Sequence, residues 1–161
     1  MNAQDPLAEF FAGAPRQSAD LAGRDGTRGD VDRALNELQI PAEVDSDGDW
    51  RIQTDVGPFL LVIDRDNGDV VVIQTLRVME GEASDYADDM HALLLLNLEA
   101  EGARFAALRE SEDANLLVLT SRVKAGALRR DTLETMLRDS MRLSRRLDEL
   151  VTTAPDAEGE T

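Results

Sequence analysis

Three short runs of this chain are apolar at every position: Phe59 to Ile63, Val70 to Ile73 and Leu116 to Leu119. Side chains alternate between the two faces of a strand, so a strand with one wet face alternates apolar with polar residues. These runs instead put apolar groups on both faces. In the first, Phe59, Leu61 and Ile63 point one way and Leu60 and Val62 the other; the second sets Val70 and Val72 against Val71 and Ile73, and the third sets Leu116 and Val118 against Leu117 and Leu119. A sheet built from such strands must be covered on both sides. The chain's own helices, a second subunit or a bound partner are the candidates for that cover. The set Leu60, Val62, Val71, Ile73, Leu117 and Leu119 is accordingly the candidate for a dimer seam or a second covered face.

The remaining pattern supplies three helices and two hairpins. Asp30 caps a first helix in which Val31, Ala34, Leu35 and Leu38 share one face, until Ile40-Pro41 ends it. The period then falls to two in WRIQT, which leads through a turn at DVGP into the first apolar run. Asn67-Gly68 in the next connection suits the positive φ of a tight two-residue turn before VVVIQTLRV. Ser84 caps a second helix carrying Tyr86, Met90, Leu93, Leu94 and Leu98, which ends near Gly102. ARFAALRE and NLLVLTSRV follow as strands, joined by SEDAN, and a third helix repeats Leu133, Met136, Ser140, Leu143, Leu147 and Leu150, with Leu137 and Met141 widening its apolar face. The expected fold is α+β: an antiparallel sheet of about five strands with three helices, in the order α-β-β-β-α-β-β-α, over residues 30–152. Residues 1–29 read as a flexible arm and 153–161 as an acidic flexible tail. Within the arm, PLAEFFAG carries Leu7, Phe10 and Phe11 at helical spacing, an amphipathic turn that could form against something.

Little in the sequence points to chemistry. Absence of cysteine removes thiolate metal sites, iron–sulfur clusters and cysteine nucleophiles together. No window approaches the 18 to 20 apolar residues, roughly, that cross a bilayer, so a soluble, cytoplasmic protein with no membrane partner is expected. A formal charge of −16 repels phosphate backbones. Direct nucleic-acid binding is therefore not expected, whereas a basic protein client, nucleic-acid-binding proteins among them, is favoured. DSDGDW places Asp45, Asp47 and Asp49 like the first half of a calcium loop, but the position that needs glycine is Trp50 and the one that needs glutamate is Val56. A turn is the better reading. Asp88 and His91 stand three residues apart on the second helix, and a single such pair does not make a metal site. Ser84, Ser111, Ser140 and Ser144 lack a nucleophile-elbow context, and the glycines form no phosphate loop. No catalytic, cofactor-binding or metal-ligating residue is assigned and no cofactor is expected. The alternatives to a non-catalytic binding module are a small-ligand sensor and a divalent-metal-dependent enzyme.

The order of elements, with WRIQTDVGPFLLVI, then VVVIQTLRV, then LLLLNLEAEGARFAALRE, resembles the YbjN family, whose domain is similar to the type III secretion chaperones. The resemblance covers about Asp30 to Val151, and its most specific element is Leu96-Asn97 followed by RFAAL. It implies a homodimer that binds a protein client without an active site, as a chaperone-like or regulatory adaptor. Chaperones of this fold present apolar patches on the sheet and first helix, which makes Leu35, Leu38, Trp50, Ile52, Phe59 and Leu61 the candidate client surface. The same residues are equally candidates for the core.

Overall fold

Pro41 cannot extend a helix, and the chain closes its first helix just ahead of it. In the structure, a computed structural model that describes residues 21–80, 86–109 and 114–153, helix α1 spans Leu21–Leu38 and Gln39 follows in the left-handed region at φ 56°. The Gln39 amide donates to Asn36 O (3.0 Å) and the Ile40 amide to Leu35 O (3.0 Å), satisfying carbonyls that the helix leaves open.

The start of α1 corrects an expected boundary. The helix begins at Leu21 rather than at Asp30, so residues 21–29 are not part of an arm. Gly26 and Gly29 weaken the local helix signal, and tertiary contacts between them override it. Thr27 is buried, and the Arg28 guanidinium donates to Gly48 O (2.6 Å) while lying 4.5 Å over the Trp50 ring centroid. One turn later Asp32 accepts the Trp50 indole N–H (2.8 Å), so the chain's single tryptophan is clamped to α1 from two sides. Residues 1–20, the cap at Ser84, most of SEDAN and the tail beyond Thr153 lie outside the described residues.

Six strands form one antiparallel sheet: β1 Glu43–Val44, β2 Trp50–Thr54, β3 Gly57–Ile63, β4 Val70–Glu80, β5 Ala103–Arg109 and β6 Ala114–Val123, in the spatial order β1-β2-β3-β4-β6-β5. Helix α2, Ala87–Glu99, separates β4 from β5, and α3, Arg130–Thr153, follows β6. The α+β class and order are as expected, with β1 added. Two residues carry no periodicity, and β1 exists because the turn at Asp45 folds it back onto β2.

Two turns differ from each other in how well their sequences announce them. Between β2 and β3, Thr54 pairs with Gly57 across Asp55-Val56; the Thr54 hydroxyl donates to Gly57 O (2.7 Å) and accepts from the Val56 amide (3.3 Å). Between β3 and β4, the expected two-residue turn at Asn67-Gly68 is a longer loop. Asp64 N–H donates to Asp69 O (2.8 Å) and Gly68 N–H to Asp64 O (2.9 Å), and only Gly68 takes positive φ, at 72°. The Asn67 side chain instead accepts from the Asp69 amide (2.9 Å), so it shapes the loop as an Asx turn. Asp69 itself is buried, and its carboxylate accepts from the Ala125 amide (3.1 Å), tying this loop to the connection between β6 and α3.

All three helices contribute to one side of the sheet. Val31, Ala34 and Leu35 of α1 and Leu133, Met136 and Leu137 of α3 pack with Trp50, Ile52, Phe59, Leu61, Val70 and Val72. Beside them, Leu93 and Leu96 of α2 and Leu143 of α3 pack with Met79, Phe105, Leu117 and Leu119. A bulge at Leu76, where the β4–β6 register shifts between Thr75 and Arg77, keeps Met79 on the helix side.

Asn97 fastens α2 to the sheet. Its amide donates to Phe105 O (3.0 Å) and accepts from Phe105 N (2.7 Å), so one side chain serves the outward backbone groups of edge strand β5 as a neighbouring strand would. That is the physical content of the Leu96-Asn97 element: Leu96 packs inward and Asn97 pairs with the edge. Asn97→Ala strands both Phe105 groups in a half-buried setting and is expected to cost about 2 kcal/mol of stability, read from urea denaturation followed by Trp50 fluorescence.

Candidate functional site

The acidic turn resolves the calcium question structurally. Asp45 Oδ1 accepts the amides of Asp47 (3.0 Å) and Asp49 (2.9 Å), the Asp45 amide donates to Asp49 O (2.9 Å), and Gly48 takes φ 87°. This carboxylate is engaged in holding the backbone, which is the work of an Asx turn. Among the described residues no group of three or more His, Cys, Asp or Glu side chains is placed to share a metal ion. His91 and Asp88 are both exposed on α2, while Ser140 and Ser144 are buried on α3.

Asp49 titrates unusually. Burial, and then the charges of Asp45 and Asp47, push its pKa up to about 6 against the pull of Arg65 and Arg28. The folded state thus binds this proton more tightly than the unfolded chain does. Its stabilising contribution is present at low pH and is lost as pH rises from the ordinary carboxylate range through 6. Asp49→Asn removes that loss, and after discounting for solvent screening it is expected to be more stable than the parent by about 1 kcal/mol at pH 7.5. Near pH 4 the two proteins should unfold at the same urea concentration.

The residues singled out as a client surface are core. Leu35, Trp50, Ile52, Phe59 and Leu61 are buried under α1 and α3, and Leu38 is half-buried against the same cluster. The reason is parity: the β2–β3 register pairs Trp50 with Leu61 and Ile52 with Phe59, which puts all four on the face that the helices occupy.

The opposite face carries the second set in part. Val62, Val71 and Ile73 cluster there with Leu116 and Val118, and Leu60, Ala106 and Leu108 flank them. Leu117 and Leu119, assigned to this face from the sequence, belong to the helix side instead. Pairing of Thr75 with Val118 and of Gln74 with Leu119 fixes which β6 residues face which way. Residues 116–119 of β6 put apolar side chains on both faces, so the sequence alone does not choose between the two parities.

A groove of about 1060 Å3 runs along this second face, with Val62, Val71, Ile73, Leu108 and Val118 in its wall. Its lining also holds five carboxylates and four guanidinium groups, among them Asp49 and Arg28 at the end nearest α1. The arrangement is apolar within and charged at the margins, suited to holding an amphipathic segment.

The structure shows a second surface that the sequence reading did not isolate. Leu94 (59% exposed), Leu95 (50%) and Leu98 (83%) stand on the outer side of α2, whose Leu93 and Leu96 face the core. Leu94 and Leu98, which mark the helix in the sequence along with Met90 and Leu93, lie off its packed face. The available signal was the unbroken run Ala92 to Leu96, which is more apolar residues than one helix face can bury.

No protein-family model matches the chain, and no curated protein matches it. Two solved structures share its fold. A chain of the HopA1–SchA chaperone–effector complex superposes with a TM-score of 0.59 at 18% identity, over 81% of this chain and 98% of that one. YbjN from E. coli superposes with a TM-score of 0.55 at 11% identity, over 76% of this chain and 89% of that one. The chain therefore has a YbjN-like α+β fold, similar to that of the type III secretion chaperones.

Proposed function

We propose that this chain is a non-catalytic, homodimeric protein-binding module, a chaperone-like or regulatory adaptor that holds an apolar segment of a partner in the groove on its second sheet face. The observation that carries the reading is the strand-only apolar cluster of Val62, Val71, Ile73, Leu116 and Val118, to which no described helix contributes, continuous with the groove. The likeness to a chaperone–effector complex supports a protein partner. The groove sets a buried apolar wall between charged margins, which suits the apolar side of a protein segment. A charge of −16 favours a partner of net positive charge and speeds its encounter, including a protein that itself binds nucleic acid.

The dimer seam in this reading is the outer face of α2. Leu94, Leu95 and Leu98 form an exposed apolar patch within two turns of α2, so a second copy related by a two-fold axis would bury the same three residues from each side.

The binding reading is tested by placing a photoreactive residue at Val78, which is 46% exposed on the second sheet face, and comparing it in cells with the same residue at Arg138 on α3. A discrete adduct at Val78 that is absent at Arg138 supports the reading. Equal adducts at both sites, or none, count against it.

A further inference from the structure

We propose that the second sheet face is occupied, in the resting protein, by the chain's own N-terminal segment Pro6–Gly13, with Leu7, Phe10 and Phe11 seated on the cluster of Val62, Val71, Ile73, Leu116 and Val118. This rests on the reading of that face as the binding face, and it adds what holds the face when no client is present.

Three observations converge on this occupant. First, Leu116 and Val118 have no exposed surface, and Val62 and Ile73 keep only 4%, yet the described apolar residues packed with them all belong to strands of the same sheet. Neighbours within one sheet shield a side chain laterally and leave its tip open, so burial this complete calls for a layer on top. Second, the chain holds an apolar segment with no other assigned place. Aromatic residues are scarce, with four phenylalanines in all, and two of them are Phe10 and Phe11. The other two, Phe59 and Phe105, are already core on the helix side.

Third, the segment can reach. Arg28 of α1 lines the end of the groove, and Leu21 lies two turns earlier on the helix, about 10 Å along its axis. The linker from Phe11 to Leu21 spans up to about 30 Å when extended. The face from β3 across β4 and β6 to β5 is only about 14 Å wide.

Tethering makes weak docking sufficient. A linker of this length gives an effective concentration in the millimolar range, so a segment with an intrinsic dissociation constant of about 100 μM would still occupy the face roughly nine-tenths of the time. A client must displace the segment, and its apparent affinity is lowered by the unoccupied fraction, about tenfold in this case.

The test uses the full-length chain and a fluorescein-labelled peptide of residues 5–14, read by anisotropy. The Phe10→Asp/Phe11→Asp chain, its fold checked by Trp50 fluorescence, is expected to bind this peptide about tenfold more tightly than the parent does. Equal binding by both proteins overturns the arm proposal while leaving the binding face intact. Binding by neither overturns both.

The absence of native cysteine allows a second readout. In Ala8→Cys/Leu108→Cys, a short bis-maleimide should join the two thiols within one chain, and the adduct should migrate at the mass of one chain. A pair placed at Ala8→Cys/Arg138→Cys should stay unlinked. Adducts at the mass of two chains would show the arm on a second copy and overturn the proposal, as would equal linking of both pairs.

Discussion

Phe59→Ala is expected to lower the free energy of unfolding by about 3–5 kcal/mol, a large share of the roughly 5–15 kcal/mol that holds a domain together. Phe59 keeps 1% of its surface exposed, and it packs among Ile52, Leu61 and Val72 beneath α1 and α3. Truncation removes the transfer energy of the ring and leaves a cavity that neighbours on a hydrogen-bonded sheet close only in part. The measurement is a urea titration followed by Trp50 fluorescence. Trp50 is the chain's single tryptophan, sits in the same cluster and reports its loss directly. Partner binding should fall only as far as the folded fraction falls. Were Phe59 a docking residue, the variant would instead unfold at the parent's urea concentration and lose its partner, so this one substitution separates core from client surface.

The distinction matters because parity is what a sequence of this kind conceals. The two-sided apolar runs announced a sheet covered on both faces, and the structure has apolar clusters on both. Which residues belong to which face depends on register and on the bulge at Leu76, neither of which leaves a mark in a run such as LLVL. Leu117 and Leu119 were placed on the wrong side for that reason. Trp50, Ile52, Phe59 and Leu61 share one face, as the period of two in WRIQT and across the hairpin implies, but nothing in that period tells a core from an interface. The start of α1 was hidden by Gly26 and Gly29, because the contacts of Arg28 with Gly48 and Trp50 join residues twenty or more positions apart. Asn97 was readable as a motif and unreadable as a mechanism. Its two hydrogen bonds to Phe105 require knowing that β5 is an edge strand.

If the proposed dimer closes through α2, the double substitution Leu94→Asp/Leu98→Asp is expected to halve the solution mass, from about 35 kDa for two chains of 17.7 kDa to that of one, as read by light scattering at micromolar concentration. Both residues lie on the outer side of α2 and are more than half exposed in the single chain, so the change should leave the folded monomer intact. Its effect falls on association. Four carboxylates, two from each copy, would then face one another across a two-fold seam, and like charges brought together in a desolvated interface cost several kcal/mol. At roughly 1.4 kcal/mol per tenfold change, that moves a micromolar dissociation constant beyond the range in which a dimer is populated. Trp50 fluorescence and the urea midpoint are the controls, since Trp50 is packed against α1 and α3 and is remote from the substituted face. A parent chain that already runs at 17.7 kDa would remove α2 as a dimer seam and leave its three leucines to a different partner. A double variant that keeps the parent's doubled mass would move the seam elsewhere, and the second sheet face would then be the apolar surface to substitute next.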